Sequence, residues 1–219
     1  MVFGDKEFIN RTSSTEGNVV VIDQAGTFYV TGSTEDYRIE IRITDETKVG
    51  TVTIVLNGTS IKPTVPGPVI GVANECEVET NVTIILSENS INEVSGYDGA
   101  GINNSGRKLK IVGNGILNVT GGRHGAGIGG DSFYGYGENG SNITICGSVT
   151  VNATGSSAGI GGGRGGDGSN ITISDSVTVN ATGGIGASIG GGEGGNGSNI
   201  TISGSATVNA TGDDRGAGI

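Results

Sequence analysis

The chain has 219 residues, 33% of them apolar, a formal charge of −10, 45 glycines and no tryptophan. The acidic balance argues against nucleic acid, whose phosphates need a basic face, and against anionic lipid. No apolar run approaches the ~18 residues of a membrane span, so no membrane insertion is expected. Glycine at this level calls for many tight turns, and the apolar fraction suffices for one continuous core.

Residues 1–18 are polar with scattered apolar positions (Phe3, Phe8, Ile9) and are expected to cap the first turn of the fold. The opening Met1-Val2-Phe3-Gly4-Asp5 lacks the basic start and apolar stretch of a signal peptide, which suggests a mature or trimmed segment. From Val20-Val21-Ile22 onward the chain repeats itself at a period of about thirty residues, the mark of a stacked repeat architecture. The series continues through Val52-Thr53-Ile54, Val82-Thr83-Ile84 and Leu109-Lys110-Ile111 to Ile143-Thr144-Ile145, Ile171-Thr172-Ile173 and Ile200-Thr201-Ile202. Those seven starts are spaced by 32, 30, 27, 34, 28 and 29 residues. In the second half a further strand follows each triplet, at 149–154, 177–182 and 206–211, and Ile102, Ile128, Ile160, Ile189 and Ile219 keep pace on a third side.

The period within each unit is two, the strand signature, with Ile143 and Ile145 on one side and Thr144 on the other. Hairpins would set equivalent segments antiparallel at alternate repeats and lose the stacking of like on like. Parallel coiling instead puts each residue over its equivalent about 4.8 Å away. The expected fold is all-β, a right-handed parallel β-helix of about seven coils with three short strands per coil, forming a single domain over 19–219. Its hand follows from the preferred hand of parallel crossovers. Inward columns are expected at Ile143, Ile171, Ile200 and at Val151, Val179, Val208. The run Gly161-Gly162-Gly163-Arg164-Gly165-Gly166-Asp167-Gly168 reads as a corner, because no helix follows to make it a phosphate loop. Gly216-Ala217-Gly218-Ile219 stops in mid-repeat, and further repeats or domains of the same polypeptide are expected beyond Ile219. Cys76 and Cys146 fall in different columns more than two coils apart, so no disulfide is expected. With one histidine, His124, no zinc-type cluster can be assembled.

The segments Val20-Val21-Ile22-Asp23-Gln24-Ala25-Gly26-Thr27-Phe28-Tyr29-Val30-Thr31-Gly32 and Val52-Thr53-Ile54-Val55-Leu56-Asn57-Gly58 resemble the bacterial secreted proteins that contain a carbohydrate-binding β-helix domain of pectate-lyase-like fold. The resemblance covers residues 18–130 and rests on coil-forming residues. It implies a β-helix without lyase chemistry, an extracellular or cell-surface location, and binding of plant cell-wall or acidic polysaccharide, sometimes with calcium. The Gly-Ala-Gly-Ile-Gly-Gly unit of the second half is similar to glycine-rich repeats in large surface proteins of anaerobic Gram-positive bacteria.

A polysaccharide lyase would need a basic residue to abstract a proton and carboxylates holding calcium. The candidate bases Arg107, Lys108, Lys110, Arg123, Arg164 and Arg215 are scattered, so no enzymatic activity is expected. The clearest departure from the repeat follows Ile128, where fourteen residues lead to Asn142 while the sister coils take ten, Ile160 to Asn170 and Ile189 to Asn199. The added loop carries Asp131, Phe133, Tyr134 and Tyr136. Aromatic rings suit stacking on sugar faces, and Asp131, Arg123 and His124 could bond hydroxyls; the alternative is a loop whose rings merely cover the coil edge. A second candidate is the outward array of Thr150, Thr178, Thr207 with Asn152, Asn180, Asn209 and Thr154, Thr182, Thr211. It could bind polysaccharide or order water as ice-binding solenoids do, or simply be a solvated β face held by side-chain ladders. Asp167, in a partial match to a calcium-binding nonapeptide, is the one metal-ligand candidate. The expected function is therefore an extracellular, non-catalytic carbohydrate-binding β-helix without an obligatory cofactor, its alternative a stalk or adhesin spacer.

Overall fold

The computed structural model describes residues 2–3, 15–16, 18–73, 76, 79–133, 136–213 and 216–219. Alternation sets its local structure. In Ile143-Thr144-Ile145 both isoleucines are fully buried while Thr144 stays partly exposed, and the neighbouring coils repeat the pattern above and below. Leu109, Ile143, Ile171 and Ile200 lie in parallel register on successive rungs. The chain winds in this way into a right-handed parallel β-helix of about six turns.

Three faces run the length of the stack. The first has seven rungs, in which Gly26, Val52, Val82, Leu109, Ile143, Ile171 and Ile200 are in register. Seven rungs enclose six full turns, one fewer than a count of repeat starts suggests. The second face begins with the far halves of two long strands, Gly26–Thr34 and Thr51–Ile61, and continues through Ile91–Ser95, Ile116–Thr120, Thr150–Gly155, Thr178–Gly183 and Thr207–Gly212. The third stacks Val20, Ile39, Ile70, Ile102, Ile128, Ile160 and Ile189. Ile189 N donates to Gly218 O at 3.1 Å, as Ile160 N donates to Ser188 O at 2.8 Å, so Ile219 keeps the column's register.

One expectation is corrected. Val20-Val21-Ile22 does not stand under Val52-Thr53-Ile54; it belongs to the third face and pairs with Arg38–Ile41. The partner of Val52 on the first face is Gly26. Any alternating apolar triplet fits any of the three faces, because a period of two reports burial and not which side of the coil is buried. Along the third face the first step is also the shortest, 19 residues from Val20 to Ile39, and along the first face it is 26 residues, from Gly26 to Val52. At this end antiparallel pairs replace parallel stacking, Val2–Phe3 on Gly26–Thr34 and Thr15–Glu16 on Val19–Ile22.

The core is one continuous apolar column, aliphatic but for Phe28 near its start, in which Ile143, Ile171, Val151 and Val179 are wholly buried; on the last rung Ile200 and Val208 are partly so. Each such side chain contributes about 1.5–3 kcal/mol relative to exposure. Asn92 breaks the rule. It points inward where sister coils carry Leu117 and Val151, and it is fully buried. Its Oδ1 accepts from Thr59 N at 3.1 Å, and its Nδ2 donates to Ser90 Oγ at 2.9 Å and Ile116 O at 3.2 Å. The amide thereby bonds the backbone beside the register shift at Val30/Gly32, where a leucine would take this acceptor from Thr59 N. Cys76 is buried and Cys146 half-buried, and both remain thiols.

Glycine is required where coils touch through backbone alone. Gly161 has φ +138°, and a Cβ there would lie 1.8 Å from Gly190 O of the next coil. Only glycine tolerates both the conformation and the contact.

Candidate ligand cleft at the base of a hairpin

The extra residues after Ile128 form a small antiparallel hairpin, Ser132–Phe133 with Tyr136–Gly137. Glu138 N donates to Asp131 O at 2.7 Å and closes its base. In the sister coil a glycine turn occupies this place, closed by Gly166 N on Gly163 O at 2.8 Å. The hairpin is therefore an addition to a coil that closes without one. Tyr134 and the side chains of Phe133 and Tyr136 lie outside the described residues, as does Arg215.

The base of the hairpin forms one wall of a cleft of about 350 Å³ on the third face. Asp131 and Glu138 line it from the hairpin, Asn103 and Ser105 from the preceding coil, and Arg38 and Glu40 from the second rung of that face. Pro66, Pro68 and Val72 supply its apolar part. This size falls within the ~300–1,000 Å³ typical of ligand pockets, and apolar walls with a few convergent polar groups are what such pockets share.

The polar groups are held firmly. Asp131 is 6% exposed, and its Oδ1 accepts from Ala100 N at 3.0 Å and Ser132 N at 2.8 Å. Its Oδ2 has no hydrogen-bond partner among the described residues. Burial pushes the Asp131 carboxyl above its ordinary value; the two amide bonds pull it back, and the charges of Glu138 and Asp98 raise it further. Glu138 Oε2 accepts from Asn103 Nδ2 at 2.7 Å, and Asn103 Oδ1 accepts from Ser105 N and Ser105 Oγ, both at 2.7 Å. Glu40, 8% exposed, is ion-paired with Arg38 Nη2 at 2.8 Å and takes Arg42 Nε at 2.8 Å. The acid of the second coil is thus balanced, while Asp131 and Glu138 face the cleft with no cation bonded to either among the described residues. Ser132 Oγ, buried at the same base, has no partner among the described residues.

The other sequence candidates lie elsewhere. Arg123 is exposed and His124 half-buried in the turn between second and third faces, where His124 O accepts from Arg164 N at 3.1 Å. Neither lines the cleft with Asp131. The outward asparagines bond to one another: Asn152 Nδ2 to Asn118 Oδ1 at 2.7 Å, Asn180 to Asn152 at 2.7 Å, and Asn209 to Asn180 at 2.8 Å. Thr150 and Thr178 beside them are partly exposed, and Thr207, Thr154, Thr182 and Thr211 are exposed. A second ladder, missed in the sequence, joins Asn142, Asn170 and Asn199 at 3.1 and 3.2 Å. All three have φ between +51° and +59°, a conformation that asparagine tolerates; the signal was the repeated Ser-Asn-Ile-Thr-Ile. Asp167 belongs to a turn ladder, with Asp167 N on Asn139 Oδ1 at 2.8 Å and Asp167 Oδ1 accepting from Asn196 N at 2.7 Å. Among the described residues no three metal-ligating side chains come together.

Two further hollows differ in character. A shallow groove of about 480 Å³ on the first face brings Lys108 and Lys110 beside Thr83, Thr144, Asn142 and Asn170. A hollow of about 550 Å³ on the last rung is lined by glycines with Ile189, Ile200 and Ile219 and, among the described residues, by no charged group. Arg107 reaches back to Cys76 O, and Arg164 Nε pairs with Glu193 Oε2 of the next coil at 2.6 Å.

Fold and register together define a β-helix repeat protein. The model of the beta helix repeat family matches residues 143–164, 171–193 and 200–219, the coils whose strands superpose residue on residue. No curated protein and no solved structure matches the chain.

Proposed function

We propose that this β-helix is an extracellular or cell-surface, non-catalytic carbohydrate-binding domain whose ligand enters the cleft at the base of the 131–138 hairpin. The observation that carries the reading is the convergence of Arg38, Asn103, Asp131 and Glu138 on one pocket, beside the coil that, among the described residues, departs from its sisters by an added hairpin. Planar amide, carboxylate and guanidinium groups fixed by second partners suit the directional hydroxyls of a sugar. The separation of groups favours binding over lyase chemistry: Lys108 and Lys110 line the first-face groove, Asp131 and Glu138 line the third-face cleft, and Arg38 is tied to Glu40.

One observation favours a spacer instead. The regular face offers little that is unspent, because its asparagines bond chiefly to each other. Retention on neutral, acidic and amine-bearing glycans (cellulose, xylan, polygalacturonate and chitosan), with calcium or with chelator, separates the two. The proposed function predicts retention of the native domain, lost in Asp131→Asn plus Glu138→Gln and weakened in Tyr134→Ala plus Tyr136→Ala. A folded protein that is retained on no glycan favours the spacer.

A further inference from the structure

The charge inside the cleft narrows the class of sugar. Glu40 is matched by Arg38 and Arg42, but the two carboxylates at the hairpin base have no counter-charge bonded to them among the described residues. Asp131 is more than nine-tenths buried and lines the cleft, its Oδ2 without a hydrogen-bond partner among the described residues. Glu138, half-buried, lines the same wall and has one oxygen on Asn103. Such an arrangement is unfavourable by itself, because two like charges close together in a partly desolvated place repel each other. A ligand that brings a positive charge with several donors resolves it.

A metal ion is a poor fit, since two carboxylates and an amide whose oxygen is already taken leave too few ligands for a hard cation of six to eight oxygens. An ammonium fits better. Its three N–H donors match the free oxygen of Asp131 and that of Glu138 and leave one for solvent or a ring neighbour. Around these acids, the second N–H of Asn103 and the Arg38 guanidinium are placed for hydroxyls, and Pro66 and Pro68 offer an apolar surface for a ring face.

We infer that the cleft takes an amino sugar with a free, protonated amine, the ammonium seated between Asp131 and Glu138 and the ring hydroxyls toward Asn103 and Arg38. This rests on the carbohydrate-binding reading and names its ligand class. A deacetylated hexosamine chain is the expected form, because the cleft is open at the surface and accepts one unit of a longer polymer.

The test is calorimetric titration of the whole domain with four probes: a glucosamine oligosaccharide, its fully N-acetylated counterpart, a neutral gluco-oligosaccharide of equal length, and a lysine oligopeptide. The expected result is binding of the glucosamine oligomer at least ~10-fold tighter than the acetylated and neutral ones, the difference of one charge-assisted hydrogen bond. Asp131→Asn keeps the acceptor for Ala100 N and Ser132 N, and Glu138→Gln keeps the acceptor for Asn103. Each variant is expected to remain folded by circular dichroism and to lose that preference. Equal binding of glucosamine, acetylated and neutral oligomers overturns the amine preference and leaves carbohydrate binding standing. Binding of the lysine peptide as tightly as the glucosamine oligomer overturns the sugar. Binding of none of the four overturns the amino-sugar assignment, and retention on the polysaccharides above then decides whether carbohydrate binding survives it.

Discussion

The two ends of this solenoid solve the same packing problem in different ways. From 140 to 212 each coil repeats the last almost residue for residue: glycine lies over glycine, isoleucine over isoleucine and asparagine over asparagine. From 18 to 120 the coils differ in length, one strand pair shifts register, and Asn92 sits in the core to repair the backbone. The difference teaches where a site can form. Identical coils satisfy their polar groups by stacking them on copies of themselves, which leaves a regular but committed surface. Unlike coils leave groups that no copy answers, and the cleft lies where the irregular rungs meet the hairpin of the first Gly-rich coil.

Glycines sharpen that contrast most. Gly161→Ala in the regular half meets Gly190 O at 1.8 Å and must break the ladder, so its thermal unfolding should show a loss of about 3 kcal/mol or more. Gly58→Ala in the irregular half has φ +65° with nothing within 4 Å, and only the left-handed conformation opposes it, at about 1–2 kcal/mol. Equal losses at the two positions would break the contrast between tightly stacked and loosely joined coils.

Next in size is the buried amide. Asn92→Ala removes the buried amide's bonds to Thr59 N, Ser90 Oγ and Ile116 O, and denaturant unfolding should register a loss of about 1–3 kcal/mol. Asn180→Ala on the regular face removes two ladder bonds that are partly open to water. It should cost less, about 1 kcal/mol, and a larger loss there than at Asn92 would reverse the ranking of the two regions.

The smallest effect concerns pH. The Asp131 carboxyl is raised in the folded protein, so the native state binds more protons than the unfolded chain in the window between the ordinary carboxyl value and the raised one. Stability contributed at this position therefore falls as pH rises through that window, and the penalty is fully present above it. Replacing Asp131 by Asn should remove this component, so that melting temperature followed from mildly acidic to neutral pH declines less in the variant than in the native domain. An unchanged pH profile would mean that the carboxyl is better solvated than its burial implies.

The fold was legible because it is written many times over. Ile-Thr-Ile and Val-Asn-Ala-Thr recur at nearly constant spacing, and each copy corrects the reading of the others. Where only one copy exists the reading failed, as with Val20-Val21-Ile22, whose alternation fits any face. The hairpin was visible as a length difference, and Asp131 stood out within it. Arg38, Glu40, Asn103 and Glu138 did not, because they come from coils scattered over a hundred residues and are brought together only by third-face stacking. The asparagine rows at 152, 180 and 209 were read as an outward array, either a binding surface or a β face held by side-chain ladders, and it is rotamer and distance, which residue type does not encode, that show the amides bonded to one another.

The central claim is that ligand contacts gather at the hairpin base and not along the regular faces. Hydrogen exchange measured by mass spectrometry, with and without the glycan that the domain retains best, tests it directly. The account predicts added protection confined to 66–73, 100–105 and 131–138, with 150–154, 178–182 and 207–211 unchanged. Protection spread along those regular strands, with none at 131–138, would contradict it.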